Sequence, residues 1–187
     1  MSAPLHADAT SVLQAWTAPD EGQESLRRDY LDHLARHDDA MWRSCRGGHL
    51  TSSALIIDPT GERVLLTLHP TVGRWLQTGG HCEPSDASLL AAAEREAREE
   101  GGIADLRMLG EPVRLDRHQV TCRAADGTRT SLDHLDVQWC ALAPVDAEPI
   151  RSAESLDLRW WPWDSLPEDT DTSVRTLVAA SRSHLLA

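Results

Sequence analysis

Apolar positions recur at three- and four-residue intervals at both ends of the chain, and run together in short blocks in the middle. Leu5, Val12, Leu13 and Trp16 form a first stripe, broken at Pro19, and Leu26, Tyr30, Leu31 and Leu34 form a second. That period predicts helices over most of residues 1–40, because side chains three and four apart share a helix face. They read as a helical hairpin packed on the main domain or lying at a homodimer interface. Residues 43–53 (RSCRGGHLTSS) are glycine-bearing and polar and read as a loop. Residues 53–58 (SALIID) and 63–69 (RVLLTLH) flank a turn at Pro59-Thr60-Gly61, which predicts a hairpin. A short extended piece at 75–77 leads to a glycine turn at Gly79-Gly80. A helix follows from Ser85 or Asp86, with Leu89, Leu90, Ala92, Ala93 and Ala97 on its packing face, and stops at Gly101-Gly102. Strands are expected over 103–115 and 131–142, with a turn at 125–127 between them, and again over 156–161. Val174, Leu177 and Val178 mark a last helix over 171–186, capped by Asp171, Thr172 or Ser173. Strands on either side of a central helix predict an α+β layered domain over 46–187, with residues 1–45 as a helical extension.

Composition narrows the chemistry. The net charge of −12 argues against a nucleic-acid polymer as partner. A phosphorylated small molecule would be repelled as well, unless cations or local arginines reverse the field. There is no lysine in the chain, which excludes Schiff-base chemistry and the lysine-dependent phosphate loop. Cys45, Cys82, Cys122 and Cys140 are widely spaced without a CxxC pair and read as free thiols. No apolar run approaches the roughly 18 residues of a membrane span, and the first residues do not resemble a secretory signal. The expected location is cytoplasmic.

The sharpest feature is the end of the central helix. Glu96, Glu99 and Glu100 are three and four residues apart, so their carboxylates crowd one side. They do so where the helix dipole is already negative. Arg95 and Arg98 would pair with them if this were a solvated helix end. A bound divalent cation, which prefers carboxylate oxygens, is the other reading.

Residues 79–103 resemble the Nudix box, G-x5-E-x7-R-E-U-x-E-E-x-G-U, where U is a bulky aliphatic residue. Arg95 to Ile103 (REAREEGGI) matches its second half, with Ala97 small for its position. Gly80 matches the first glycine, but the acid that follows after five intervening residues is Asp86, and eight residues then separate Asp86 from Arg95. The extra residue fits in the loop before the helix or in its first turn. The resemblance implies an α/β/α sandwich with a mixed sheet, and a Mg2+- or Mn2+-dependent hydrolase that cleaves a pyrophosphate link in a nucleoside diphosphate joined to another group. It implies that Glu96, Glu99, Glu100 and the carbonyl of Gly80 hold one to three cations. Alternatively, one of the glutamates would serve as base instead, and Arg95 would orient a glutamate. A Nudix domain that binds a ligand without turning it over, and an isopentenyl-diphosphate isomerase-like activity that would draw on Cys82, are the alternatives.

Further substrate-binding candidates are Glu83 in the turn after the glycines, Trp75 as a base-stacking ring, and His118, His134 and Asp136. His134 and Asp136 share one strand face, as do Arg114, Asp116 and His118. A satisfied polar sheet face and an ordinary core tryptophan are the plainer readings of these residues.

Overall fold

The computed structural model describes residues 3–123 and 129–186; the side chain of Cys122 and the turn expected at 125–127 lie outside the described residues. The two expected N-terminal helices are α1 (Ala3–Ala15) and α2 (Glu21–Arg36). Asp20 caps α2 by accepting the Gln23 N–H at 2.8 Å, with Glu21 and Glu24 in the first turn and His33 and Arg36 in the last, each at its favourable dipole end.

Strand β1 (His49–Ile57) begins four residues earlier than the sequence suggests. Thr51, Ser52 and Ser53 pair with β4 (Thr78–His81) on one edge and with β7 (Arg129–Leu142) on the other. Strand pairing on both edges overrides their weak individual preference, and the segment is buried throughout. The hairpin to β2 (Arg63–Leu68) is as expected. Its turn is closed by the Asp58 carboxylate, which accepts the N–H groups of Glu62 and Arg63 and the Arg63 guanidinium. After β3 (Trp75–Leu76), Gly79 and Gly80 lie inside β4 and form no turn.

Helix α3 (Leu89–Gly101) starts after both residues expected to cap it: Ser88 is the N-cap, accepting from Ala91 N–H at 3.0 Å. Gly102, at φ 66°, ends it in the left-handed conformation, where a Cβ would run into the Ile150 backbone. The strand expected over 103–115 is two pieces, β5 (Arg107–Met108) and β6 (Arg114–Arg123). Gly110 and Pro112 fall between them, and a proline nitrogen cannot join the ladder. Strand β8 (Asp157–Pro162) and helix α4 (Thr172–Leu186) complete the chain. The Asp171 carboxylate caps α4 by accepting Ser173 N–H at 2.9 Å.

The strands form one mixed sheet in the order β3-β2-β1-β7-β5, with β4 beside β1, β6 beside β7 and β8 beside β2. Only the β1–β7 pair is parallel among these named pairings. Leu50, Ala54 and Ile56 of β1 pack under α1, α2 and α3, while Leu55 and Ile57 pack under α4. This is an α+β fold in three layers, as expected. On the α4 side β1 changes character. Its first half presents His49, Thr51 and Ser53, and its second half Leu55 and Ile57. The apolar half meets α4, and the polar half lies beside the polar residues of β6 and β7.

Two side chains of helix α2 hydrogen-bond the β6 backbone: the Tyr30 hydroxyl donates to Asp116 O at 2.8 Å, and Gln23 pairs with Leu115. The buried Gln23 amide donates to Leu115 O at 3.1 Å and accepts Leu115 N–H at 2.6 Å, replacing a neighbouring strand. Gln23→Ala leaves both Leu115 groups unpaired, and the expected cost is about 2 kcal/mol in urea unfolding. No helix among the described residues is long and apolar enough to cross a membrane.

Candidate active site

Glu96, Glu99 and Glu100 occupy the last turns of α3, where the helix meets β4. Arg95 organises them. Its Nη1 donates to Glu96 Oε1 at 2.9 Å and to Glu99 Oε2 at 3.1 Å. Its Nε and Nη2 form a two-pronged pair with Asp86, at 3.0 and 3.1 Å, and Nη2 also donates to the His81 carbonyl at 2.9 Å. All five guanidinium N–H groups are therefore engaged. Asp86 holds Arg95 from the loop before α3. The Asp86 carboxylate also accepts Glu83 N–H at 2.7 Å, which folds the loop back on itself.

Glu100 points the other way, accepting Gly79 N–H at 2.9 Å. Burial raises the pKa of both Glu96 and Glu100, the latter to about 7. The neighbouring glutamates and Glu154, on the loop before β8, push both in the same direction. One guanidinium with no donor to spare serves Glu96 and Glu99 as well as Asp86, while Glu100 meets a backbone N–H, all at a helix C-terminus. The donor set is all oxygen and carries excess negative charge, as a hard divalent cation requires. Glu96 and Glu99 are hydrogen-bonded to Arg95 and Glu100 to Gly79, so the three carboxylates are splayed and their oxygens do not all lie within 4.8 Å of one another.

Gly80 keeps the space open. A Cβ there would lie 2.6 Å from Glu96 Oε1. Gly80→Ala is expected to displace Glu96 and lower turnover at least about tenfold while the circular-dichroism spectrum stays native, since a shift near 1 Å in catalytic geometry is that costly.

The other expected residues divide. Asp136 and His134 of β7 stand opposite Asp116 and His118 of β6, so these four lie together on the α4 side. Asp136 is 3% exposed and accepts from Thr51 Oγ1 at 3.0 Å, Ser53 Oγ at 2.6 Å and Gln138 Nε2 at 3.0 Å, while burial raises its pKa. His118 Nδ1 lies 3.0 Å from Asp116 Oδ2, a hydrogen bond that raises the His118 pKa. Glu83 is exposed in the loop before α3. Trp75 belongs to the core: it is 6% exposed and packs edge-on against Trp161 at 5.2 Å, leaving no open face for a base. Cys82 is also buried, and burial pushes its thiol up to about 12. Cys45 and Cys140 are buried free thiols.

The sequence reading missed three features. Asp86 grips Arg95; Glu154 approaches the glutamates; and His49, Thr51 and Ser53 extend the polar face. The last was within reach, because the alternation of 49, 51 and 53 continues into Leu55 and Ile57.

No curated protein matches the chain at a significant level. Among solved structures, a NUDIX-family hydrolase from Clostridium perfringens superposes with a TM-score of 0.54 at 23% identity, covering 74% of this chain and 98% of that one. The E. coli dihydroneopterin triphosphate pyrophosphohydrolase does so with a TM-score of 0.55 at 19% identity, covering 72% and 95%. The NUDIX domain of Shewanella oneidensis NrtR, complexed with ADP ribose, gives a TM-score of 0.51 at 22% identity, covering 82% and 97%. These likenesses show a common fold. The family model described as the NUDIX domain matches residues 48–180, well over half of the sequence and inclusive of the glutamate cluster, and so the chain belongs to the Nudix family, as a pyrophosphate-cleaving hydrolase.

Proposed function

We propose that this chain is a Mg2+- or Mn2+-dependent hydrolase of a nucleoside-diphosphate-type substrate. The observation that carries this reading is the excess of carboxylates over available cationic donors at the end of α3, beneath a glycine that any side chain would close. Glu96, Glu99 and Glu100, with the Gly80 carbonyl, would hold the cation. When bound, it would neutralise charge developing on the phosphate oxygens and lower the pKa of water. The water oxygen forms a bond to one phosphorus as the bridging P–O bond breaks, and a carboxylate takes the proton. If one of the three glutamates takes the proton instead of holding the cation, Glu100, which burial raises to about 7 in the metal-free protein, is the one suited to neutral pH. Arg95 positions Glu96 and Glu99 and is itself fixed by Asp86. His118, His134 and Asp136 lie on the α4-side face of the sheet, opposite the glutamates, and would select the group attached to the diphosphate where it reaches round the β4 edge.

The substrate class is tested with chelator-treated protein, Mg2+ or Mn2+, and a panel of nucleoside triphosphates, sugar nucleotides, dinucleoside polyphosphates and ADP-ribose. ADP-ribose is included because one structural neighbour was solved with it. Metal-dependent release of two phosphate-bearing products supports hydrolysis. Thermal stabilisation by a panel member with no product over hours supports ligand binding without turnover. Isomerisation of isopentenyl diphosphate has little support in the geometry, since Cys82 is buried with its thiol held protonated.

A further inference from the structure

On the sheet face opposite the glutamates, three histidines from three strands converge. His49 of β1 and His134 of β7 are register partners, and His81 of β4 pairs with Thr51 two residues along β1. The ring centroids of His49 lie 5.0 Å from His81 and 4.8 Å from His134, and those of His81 and His134 lie 4.9 Å apart. One ring nitrogen from each can be chosen so that all three lie within 4.8 Å of one another. His49 is 1% exposed, and neither of its ring nitrogens has a hydrogen-bond partner; His134 Nε2 has none either. A neutral imidazole always carries one N–H and one lone pair, and burying both without partners is unfavourable by about 1–3 kcal/mol for each group. A core built only for packing would not gather three such rings.

This cluster is distinct from the glutamate site. Gly80 and His81 are consecutive in β4, so their Cβ directions point to opposite faces of the sheet. Gly80 faces Glu96, and His81 therefore faces away from it. We propose that His49, His81 and His134 form a binding site for a transition-metal ion of the Zn2+ class, separate from the oxygen-ligand site of α3.

The donor chemistry selects that class. Imidazole nitrogens suit Zn2+, Co2+, Ni2+ and Cu2+, whereas Mg2+ and Ca2+ take oxygen. Tetrahedral coordination at about 2.0–2.1 Å needs ligand nitrogens roughly 3.4 Å apart, which modest ring rotation provides from the present spacing. Three protein ligands leave a fourth position for an oxygen from water or substrate, the pattern of reactive rather than structural zinc sites. His49, His81 and His134 all have lowered pKa values, first through burial, to about 4 for His81 and about 3 for His134. They are neutral near pH 7 and ready to ligate.

Arg43 is a built-in competitor. Its Nη2 donates to His81 Nδ1 at 2.7 Å from an exposed position. A histidine ligating through one nitrogen presents N–H at the other, so the ion and this Arg43 contact exclude each other. Arg43 must swing into solvent when metal binds.

The test titrates the chelator-stripped full-length chain with Co2+ and with Zn2+, each alone. Heat release gives stoichiometry, and the visible absorption of Co2+ reports coordination. The expected result is one equivalent that carries an intense four-coordinate Co2+ spectrum, any further uptake by the α3 carboxylates giving only the weak absorption of an oxygen-ligated ion. His81→Ala, at a half-buried position, should weaken Co2+ binding more than about 100-fold, beyond the 10–100-fold typical of losing an outer partner. Arg43→Ala should tighten it severalfold. Glu99→Gln, which alters only the α3 site, should leave the Co2+ spectrum unchanged. A missing spectrum, unchanged affinity in His81→Ala, or affinity lost in Glu99→Gln instead would overturn the proposal. None of these readouts uses hydrolysis, so this site and the hydrolase reading stand or fall separately.

Discussion

Replacing Glu100 with Gln should stop turnover and yet make the metal-free protein more stable at neutral pH. The two effects have one cause. Burial lifts the Glu100 carboxyl from 4.5 to about 7. Because the folded-state pKa is the higher one, the stability that the protonated group contributes is fully present below about pH 4.5 and is lost as pH rises towards about 7. Above that window the fold carries a buried, uncompensated charge. Glutamine removes the charge and keeps an oxygen for the Gly79 N–H, so Glu100→Gln should gain on the order of 2 kcal/mol at pH 8 and flatten the pH dependence. Turnover should fall by roughly 10³-fold, the scale of losing a group that acts on the developing charge or on the attacking water. Urea unfolding at pH 4.5 and pH 8, beside product formation in Mg2+, checks both halves. A residue that served only folding would move stability and activity in the same direction.

Asp86→Ala should do the reverse, lowering stability and turnover together. Asp86 is nearly buried, with its side chain 5% exposed against the 20% exposed Arg95 side chain. Its loss strands two guanidinium donors and frees Arg95 to pivot away from Glu96 and Glu99. Breaking one side of a buried pair costs about 3–5 kcal/mol, and partial access of water to Arg95 places this case near the lower bound. Misplacing ligands through an outer partner costs 10–100-fold, expected here in kcat with little change in KM. Asp86→Asn, which keeps one acceptor, should fall between. If Asp86→Ala spares kcat, Arg95 is not held in place from this loop.

The glutamate triad, its helix and the glycine that ends it were legible because they depend on local spacing and local charge. The layered α+β fold was legible for a similar reason, since most strands carry their own apolar runs and turn residues. The departures come from tertiary pairing. Thr51, Ser52 and Ser53 read as loop residues, and become a central strand only because β4 and β7 bond them from both sides. Asp86 looked like a displaced member of the box. Its role became visible once the loop brought it to a guanidinium nine residues away in sequence. Trp75 offered a base-stacking ring on paper, but the strand order turns it into the α4 core. The histidine trio draws on residues 49, 81 and 134, and no spacing rule joins positions so far apart.

If Glu96, Glu99 and Glu100 hold a divalent cation, they should take up Mn2+, which electron paramagnetic resonance reads directly because the free-ion signal falls as the ion binds. The His81→Ala background removes the contribution of the histidine site. In that background the signal should drop saturably, recover on addition of Mg2+, and show little or no loss when Glu99→Gln and Glu100→Gln are added. Mn2+ uptake of equal strength with both glutamines in place would mean that these glutamates hold no cation.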